Sequence, residues 1–457
     1  MGRPRPAFGD ERATGLVLCL RKGVPMVFSS LRPGVERLVL AWGIACLVAI
    51  PLAGCTEAVP PLEPVTITFA CPDVDEEYYK ELAQQFNEQY PHLTVELHST
   101  GRDPLDDVNS GDVDVLVVAP WAVGELQAEG TLLNLDPFIE QDESFALSDF
   151  YPGTIELFTA EGRTWAVPGG ADVLVTFYNR DLFDQHNLPY PDVGWTLNDL
   201  LRSAVEIRDP DAGIYGYVTS GTTNEPSYFD AALLVYLHGG RLFDSMQAPT
   251  RTTFDDPLTI EALEWYADLY HEYDVAPTPK EARSTFGASE YAFYDGMRKG
   301  QVGMWFGGLS ERGGMMWPVE WYINWGMAPL PRDAQLVTQA DVEGYAIYAQ
   351  TGHPDACWEW IKFLTRYMPS SAAQRLMPAR RTLAESKAYE QLAGEEVART
   401  ARASMENAIL INPRAFGEWE SAMQVFAQAV AKVVNEEATP AEALGEAQRL
   451  VESARGQ

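Results

Sequence analysis

The sequence predicts an α/β protein with a mainly helical C-terminal part, and three observations carry that reading. Strand-like and amphipathic helical stretches alternate from residue 65 onward. Val115-Leu116-Val117-Val118 is an unbroken apolar run, the pattern of a strand buried on both faces of a parallel sheet. From Pro378 to the C-terminus the pattern is mostly that of helices.

The elements follow in order. Val65 to Ala70 reads as a strand. In residues 74–90, Tyr79, Leu82, Phe86 and Tyr90 recur every three to four residues and form one apolar helical face. Acidic residues in its first turn suit the helix dipole, and Pro91 stops it. Leu93, Val95 and Leu97 alternate at period two, and the buried run 115–118 follows. Strand, helix, strand and buried strand make up α/β grammar. Val173 to Tyr178 predicts a strand leading into a short helix. At Thr196 a cap with Asp199 three residues on starts a helix whose face is Leu197, Leu200, Leu201 and Ala204. Residues 259–273 and 355–367 predict two further amphipathic helices, and 302–306 and 345–349 two short strands. Internal repeats and heptads are absent.

The N-terminus reads as a leader. Leu38 to Gly54 is 17 residues without a charge, preceded by Arg32 and Arg37 and ending in Leu52-Ala53-Gly54-Cys55. A basic flank, a short apolar core and small residues before a cleavage point describe an export signal. Cys55 then offers a thiol for diacylation, as in a bacterial lipoprotein box, and two acyl chains suffice for stable anchoring. A transmembrane helix is the competing reading, at the short end of spanning lengths and interrupted by Pro51. Residues 1–54 are assigned to the leader, with Met26 the more usual start, and the Pro-rich stretch 55–64 to a tether.

Charge narrows the function. Lys and Arg number 33 against 66 Asp and Glu, a formal net charge of −33. Such a surface repels nucleic acid, so no nucleic-acid partner is expected. Aromatic residues make up 11% of the chain, too many for a disordered acidic protein. Beyond Cys55 the only cysteines are Cys71 and Cys357. Their spacing leaves pairing open, with two buried thiols expected rather than one long-range bridge.

The common signatures of dinucleotide, nucleoside-triphosphate, zincin and α/β-hydrolase chemistry do not occur. No cofactor, metal or catalytic residue is expected. The six histidines never sit at close ligand spacing, and Asp209-Pro-Asp211-Ala-Gly213 reads as a turn rather than a calcium loop.

A resemblance adds to this reading. Gly130-Thr-Leu-Leu-Asn-Leu-Asp136 with Phe138-Ile139, Phe177-Tyr-Asn-Arg-Asp-Leu-Phe183 and Gly194-Trp195-Thr196 stand in that order. Gly216-Tyr217, Gly239-Gly240-Arg-Leu-Phe-Asp244, Gly300-Gln-Val-Gly-Met-Trp305 and Met377-Pro378-Ala379-Arg380-Arg381 continue it. Together they make residues 65–385 resemble the extracellular solute-binding family that includes maltose-binding protein and other sugar-binding lipoproteins. The resemblance implies two α/β lobes joined by a multi-strand hinge, the periplasmic-binding-protein-like arrangement. By that analogy lobe 1 is residues 62–173 plus 342–375, and lobe 2 is 176–338 plus 376–457. The chain would cross near Asp172–Val175, near Val337–Glu343 and near Met377. The implied function is binding a sugar or oligosaccharide in an interlobe cleft and delivering it to membrane permease subunits of an ABC importer. A monomer anchored outside the cell membrane, with no enzymatic activity, is expected.

Candidate ligand residues follow from sugar chemistry: aromatic platforms for C–H faces and planar polar groups for hydroxyls. Trp121 and Asp73 lie just past strands, where open α/β sheets hold ligands. The resemblance brings in Trp305, with Gly307 allowing close backbone approach. Of Trp317, Trp321 and Trp325, one is expected at the ligand and the others in the core. Asp172, Glu343, Tyr345 and Arg380 fall at or beside the proposed crossings, to bind hydroxyls or latch the hinge. Asn224 and Tyr228 are loop candidates, whereas Trp195 is assigned to structure. The rival readings are a binding protein for a polyamine, peptide or glycerol-phosphate-type solute, a secreted glycan-active enzyme, and a structural lipoprotein.

Overall fold

A computed structural model describes residues 62–100, 113–220, 224–246, 248–314, 320–369, 375–406, 409–410, 412 and 416–455. The leader, Cys55 and Trp317 lie outside these described residues. Among the described residues no helix is long and apolar enough to cross a membrane.

Strand β1 (Val65–Pro72) leads into helix α1 (Glu76–Gln89), and β2 (Leu93–Thr100) and β3 (Val115–Val118) lie parallel on either side of β1. A short helix α2 (Val123–Ala128) follows β3. The longest strand, β4 (Ala166–Asn179), is 14 residues. Then come α3 (Leu197–Ile207), β5 (Tyr215–Tyr217) and α4 (Tyr228–Leu237). Strands β6 (Val302–Gly308), β7 (Trp325–Pro329) and β8 (Ala340–Ile347) precede α5 (Pro354–Leu364) and the two-residue β9 (Met377–Pro378). The C-terminal part is helical, ending in α6 (Trp419–Val434) and α7 (Pro440–Arg455).

The sheet runs β2-β1-β3-β8-β4-β6-β5, with β7 and β9 also paired to β4. Strand β4 belongs to two sets of partners. Its first half pairs with β8 up to Val173 opposite Ala340, and with β9 at Gly170 and Ala171. From Leu174 opposite Gly308 onward it pairs with β6 and β7 instead. One strand therefore ties two mixed sheets together, and its partners change between Val173 and Leu174.

Alternation sorts the first sheet's side chains onto two faces. Ile67, Phe69 and Cys71 pack with Tyr79, Leu82 and Phe86 of α1 and with Trp360 of α5. Leu116 and Val118 pack on the other face, with Val123 and Leu126 of α2 and with Leu157 and Phe158. Phe86 and Trp360 are both sealed and meet edge to face at 5.0 Å. Truncating either to alanine costs about 3–5 kcal/mol. A third core joins α4, the helix Pro257–Asp268, α6 and α7.

Local readings of the sequence hold at several points. Thr196 and Asp199 form a reciprocal capping box at the start of α3. The 209–213 segment is a turn, with the Ala212 amide donating to Asp209 and Gly213 at φ 67°. Cys71 and Cys357 are free, buried thiols. Trp195 is a core residue whose indole N–H donates to the Pro329 carbonyl at 2.7 Å.

Candidate functional site

The registers bring acidic residues from distant segments to one edge. Phe69 pairs with Val115 and Gly344 with Val118, so β1 and β3 end level with Gly344 of β8. Asp73 and Asp75 follow the end of β1, and Glu343 lies next to Gly344. Asp341 stands opposite Asp172 across the β8–β4 pair. Alternation puts Asp341, Glu343 and Tyr345 on the α1 face of the first sheet, where Tyr345 packs with α1 and α5. From the other set of strands, the residues just after β6 close on the same place. Ser310 donates to Asp172 through its amide at 3.0 Å and its hydroxyl at 2.6 Å.

Burial of Asp172, Glu311 and Glu343 is chemically costly. Asp172 is pushed up to about 6, mainly by desolvation, with the Asp341 charge adding to it. Glu311 rises to about 7 through burial and the Asp172 charge, and the charge of Asp230 on α4 also reaches it. Glu343 rises to about 7 through burial and Asp75, with Arg375 and the Tyr79 hydroxyl working the other way. The Tyr79 hydroxyl donates to Glu343 at 3.2 Å, and the Tyr78 and Tyr345 hydroxyls are 3.4 Å apart. Arg375 is ion-paired with the buried Asp75. A water-poor zone with several carboxylates, tyrosine hydroxyls and few cations is suited to accepting hydrogen bonds from a ligand's hydroxyls.

The structure gathers Asp172, Glu343, Tyr345 and Gly307 in this zone. A Cβ on Gly307 would lie 3.0 Å from a Glu311 carboxylate oxygen, and one on Gly308 would lie 2.8 Å from Asp172. Asp73 is exposed beside it and accepts from the Ser99 hydroxyl. Tyr228 begins α4, stacked on Phe229 at 4.2 Å, and Asn224 is exposed just before it. The tryptophans behave differently. Trp305 is 1% exposed, stacked with Phe177 and edge-on to Trp321, which is itself buried. Neither offers an open face for stacking in this structure. Arg380 is buried between the rings of Phe145 and Phe150 and bonded to Asp149 at 3.0 Å, away from the carboxyl zone. Trp121 follows β3 and is partly exposed, lining a hollow of about 880 Å³ whose opposite wall includes Ala248, Phe416 and Trp419.

Asp75, Ser310, Glu311 and Arg375 were not singled out from sequence, and Tyr79 was read only as part of the apolar face of α1. Asp75 and Glu311 were within reach, since each follows the C-terminal end of a strand, the position that holds ligands in open α/β sheets.

Comparison with known proteins agrees with this architecture. A mannitol-binding protein of Pseudomonas aeruginosa is 24% identical over 201 residues, 42% of this chain and 44% of that protein. A maltotriose-binding protein of Pyrococcus abyssi is 24% identical over 260 residues, 55% of this chain and 50% of that protein. The chain thus spans about half the length of these curated relatives. Among solved structures, the sugar-binding protein MalE of Xanthomonas citri superposes with a TM-score of 0.70 at 20% identity, over 85% of this chain and 97% of that one. An ABC substrate-binding protein of Listeria monocytogenes in complex with cycloalternan gives 0.65 at 20% identity, over 86% of this chain and all of that one. These neighbours share the two-lobe α/β fold. Residues 73–367 match the family described as bacterial extracellular solute-binding protein, and the chain belongs to that family.

Proposed function

We propose that this protein is the lipid-anchored, extracytoplasmic binding component of an ABC importer. It would take a sugar or oligosaccharide between two lobes and present it to a membrane permease. The observation that carries the reading is the convergence of Glu343 and Asp75, Asp172 of the linking strand, and Ser310–Glu311 after β6 at one zone. Carboxylates and tyrosines accept and donate to ring hydroxyls. The change of partners along β4 supplies a narrow hinge, the usual device of such closure, and supports lobes divided near 173–176, 338–342 and 375–376. The sugar and polyol ligands in the names of similar proteins support the ligand class. A phosphorylated solute fits less well, because the carboxyls outnumber Arg312 and Arg375 around the zone. No covalent step is required.

Calorimetry and thermal unfolding against a panel of monosaccharides, oligosaccharides and polyols test this. One class should bind and raise the unfolding midpoint, by about 2.7 kcal/mol of stabilisation at a hundredfold excess over Kd. No heat and no stabilisation across the panel would remove the carbohydrate assignment. The anchor is tested separately: Cys55→Ala should abolish incorporation of labelled fatty acid and release the protein from membranes.

A further inference from the structure

A second hollow, of about 530 Å³, is walled by three stretches: Ser144 and Asp149, Arg366 just beyond α5, and the segment Arg380 to Ser386 after β9. We propose that it binds a small organic carboxylate. Its floor is attached to the first sheet. Strand β9 pairs with Gly170 and Ala171, the Ala379 amide donates to the Gly169 carbonyl, and the Tyr151 amide donates to the Ala379 carbonyl. Phe145, Phe150 and Ala379 share one core with α1 and α5. Its described lining has no residue in common with the Asp172 zone or with the hollow beside Trp121.

The lining selects for an anion. Arg380 is 5% exposed, and its guanidinium lies over the rings of Phe145 and Phe150 at 4.5 and 4.4 Å, so it is fixed before any ligand arrives. Its Nε donates to the Thr365 hydroxyl and its Nη1 to Asp149, both at 3.0 Å. Its Nη2 is buried and has no hydrogen-bond partner among the described residues. A buried donor left unanswered is costly, and an anionic oxygen is the group that answers it. Arg366 is exposed and donates through Nη2 to Ser144, which leaves the rest of its planar fork for a carboxylate. The Ser386 hydroxyl accepts from the Tyr389 amide as a helix cap and keeps its own proton to donate. Burial holds the Arg380 guanidinium below its ordinary value, Asp149 works against this, and the Arg366 charge adds to it, so the two cations sense each other. Asp149 is already answered by Arg380 and by the amide and hydroxyl of Thr382. Two guanidiniums against one carboxylate leave a single positive charge, in a chain of net charge −33. That excess suits a monoanion, whereas a dianion is repelled by Asp149. Leu383 gives the organic body an apolar contact.

The site lies apart from the solute site, so failure of this inference leaves the proposed function standing. Butyrate is titrated calorimetrically into the purified protein at about 0.15 M chloride, where diffuse fields are screened. Butanol and phosphate are compared at the same ionic strength. Butyrate should bind saturably with one-to-one stoichiometry, phosphate more weakly and butanol not at all. Arg366→Gln changes an exposed side chain, so the fold should survive, and butyrate binding should weaken by about tenfold. Ser386→Asp keeps an acceptor for the helix cap but sets a second carboxylate at the site, and should abolish binding. Asp172→Asn and Trp121→Ala should leave it unchanged. Absence of saturable binding, equal binding of butanol, or phosphate binding as tightly as butyrate would each overturn the proposal. Loss in Asp172→Asn or Trp121→Ala with retention in Arg366→Gln would also overturn it, by placing the carboxylate between the lobes.

Discussion

Replacing Asp172 with asparagine removes a charge and keeps a shape. The amide oxygen can still accept from the Ser310 amide, and the amide nitrogen can donate to the Ser310 hydroxyl, so both contacts of the carboxylate have counterparts. What disappears is the cost of ionising a buried group. Burial moves this carboxyl from 3.8 to about 6, which corresponds to about 3 kcal/mol. The sign follows from proton linkage. Below pH 3.8 the group is protonated in the folded and the unfolded chain and costs nothing. As pH rises, the unfolded chain releases its proton first, so stability falls until the folded group ionises near pH 6; above that the penalty is full and constant. Asparagine does not titrate. The variant should match the parent in acid and exceed it at neutral pH by up to about 3 kcal/mol, while binding its solute more weakly. Urea unfolding of both proteins at about pH 4 and about pH 7.5 measures the gap. A gap that does not change with pH, or a variant weaker at both, would show that the carboxylate is not held against its charge.

Solute affinity should itself rise between about pH 5.5 and pH 7.5. Hydroxyl donors favour the ionised forms of Asp172, Glu311 and Glu343, whose values of about 6, 7 and 7 lie in or beside that window. Calorimetry in two buffers of different ionisation enthalpy should register proton release on binding, and flat affinity with no release would contradict it. Gly308→Ala would place a Cβ 2.8 Å from an Asp172 oxygen and push the carboxylate off Ser310. Affinity should drop by about tenfold or more with the circular dichroism spectrum retained; unchanged affinity would separate Asp172 from the ligand. Burial raises the Cys71 and Cys357 thiols to about 12. Neither should react with a thiol reagent at neutral pH until denaturant is added, and rapid native labelling would disprove their burial.

The elements that recur at short range were legible: the α1 face, the capped α3 and the buried β3 all depend on neighbours within one or two turns. The two-lobe plan entered through resemblance, because which strand pairs with which is decided over long separations. Thus Asp172 meets Ser310 across 138 residues. The tryptophans show a limit of composition. An indole at the end of a glycine-flanked strand looks ready for a sugar ring, yet Trp305 pairs with Phe177 and is covered by Trp321. Arg380 was similarly opaque, since the rings that enclose it lie 230 and 235 residues upstream.

A sharper signal was present in the strands themselves. Asp172 is the only charged residue in the 14 of β4, and β8 carries acids at Asp341 and Glu343, two residues apart. Strands enclosed on both faces exclude charge unless something compensates it. Period-two alternation puts Asp341 and Glu343 on one face whatever their partner, and the register then sets Asp172 opposite Asp341. A lone acid in a long apolar strand, as Asp172 is in β4, is thus more diagnostic than an abundance of aromatics. The cost of burying it is paid in the folded state whether or not a ligand is present, whereas an aromatic ring is equally at home in a core.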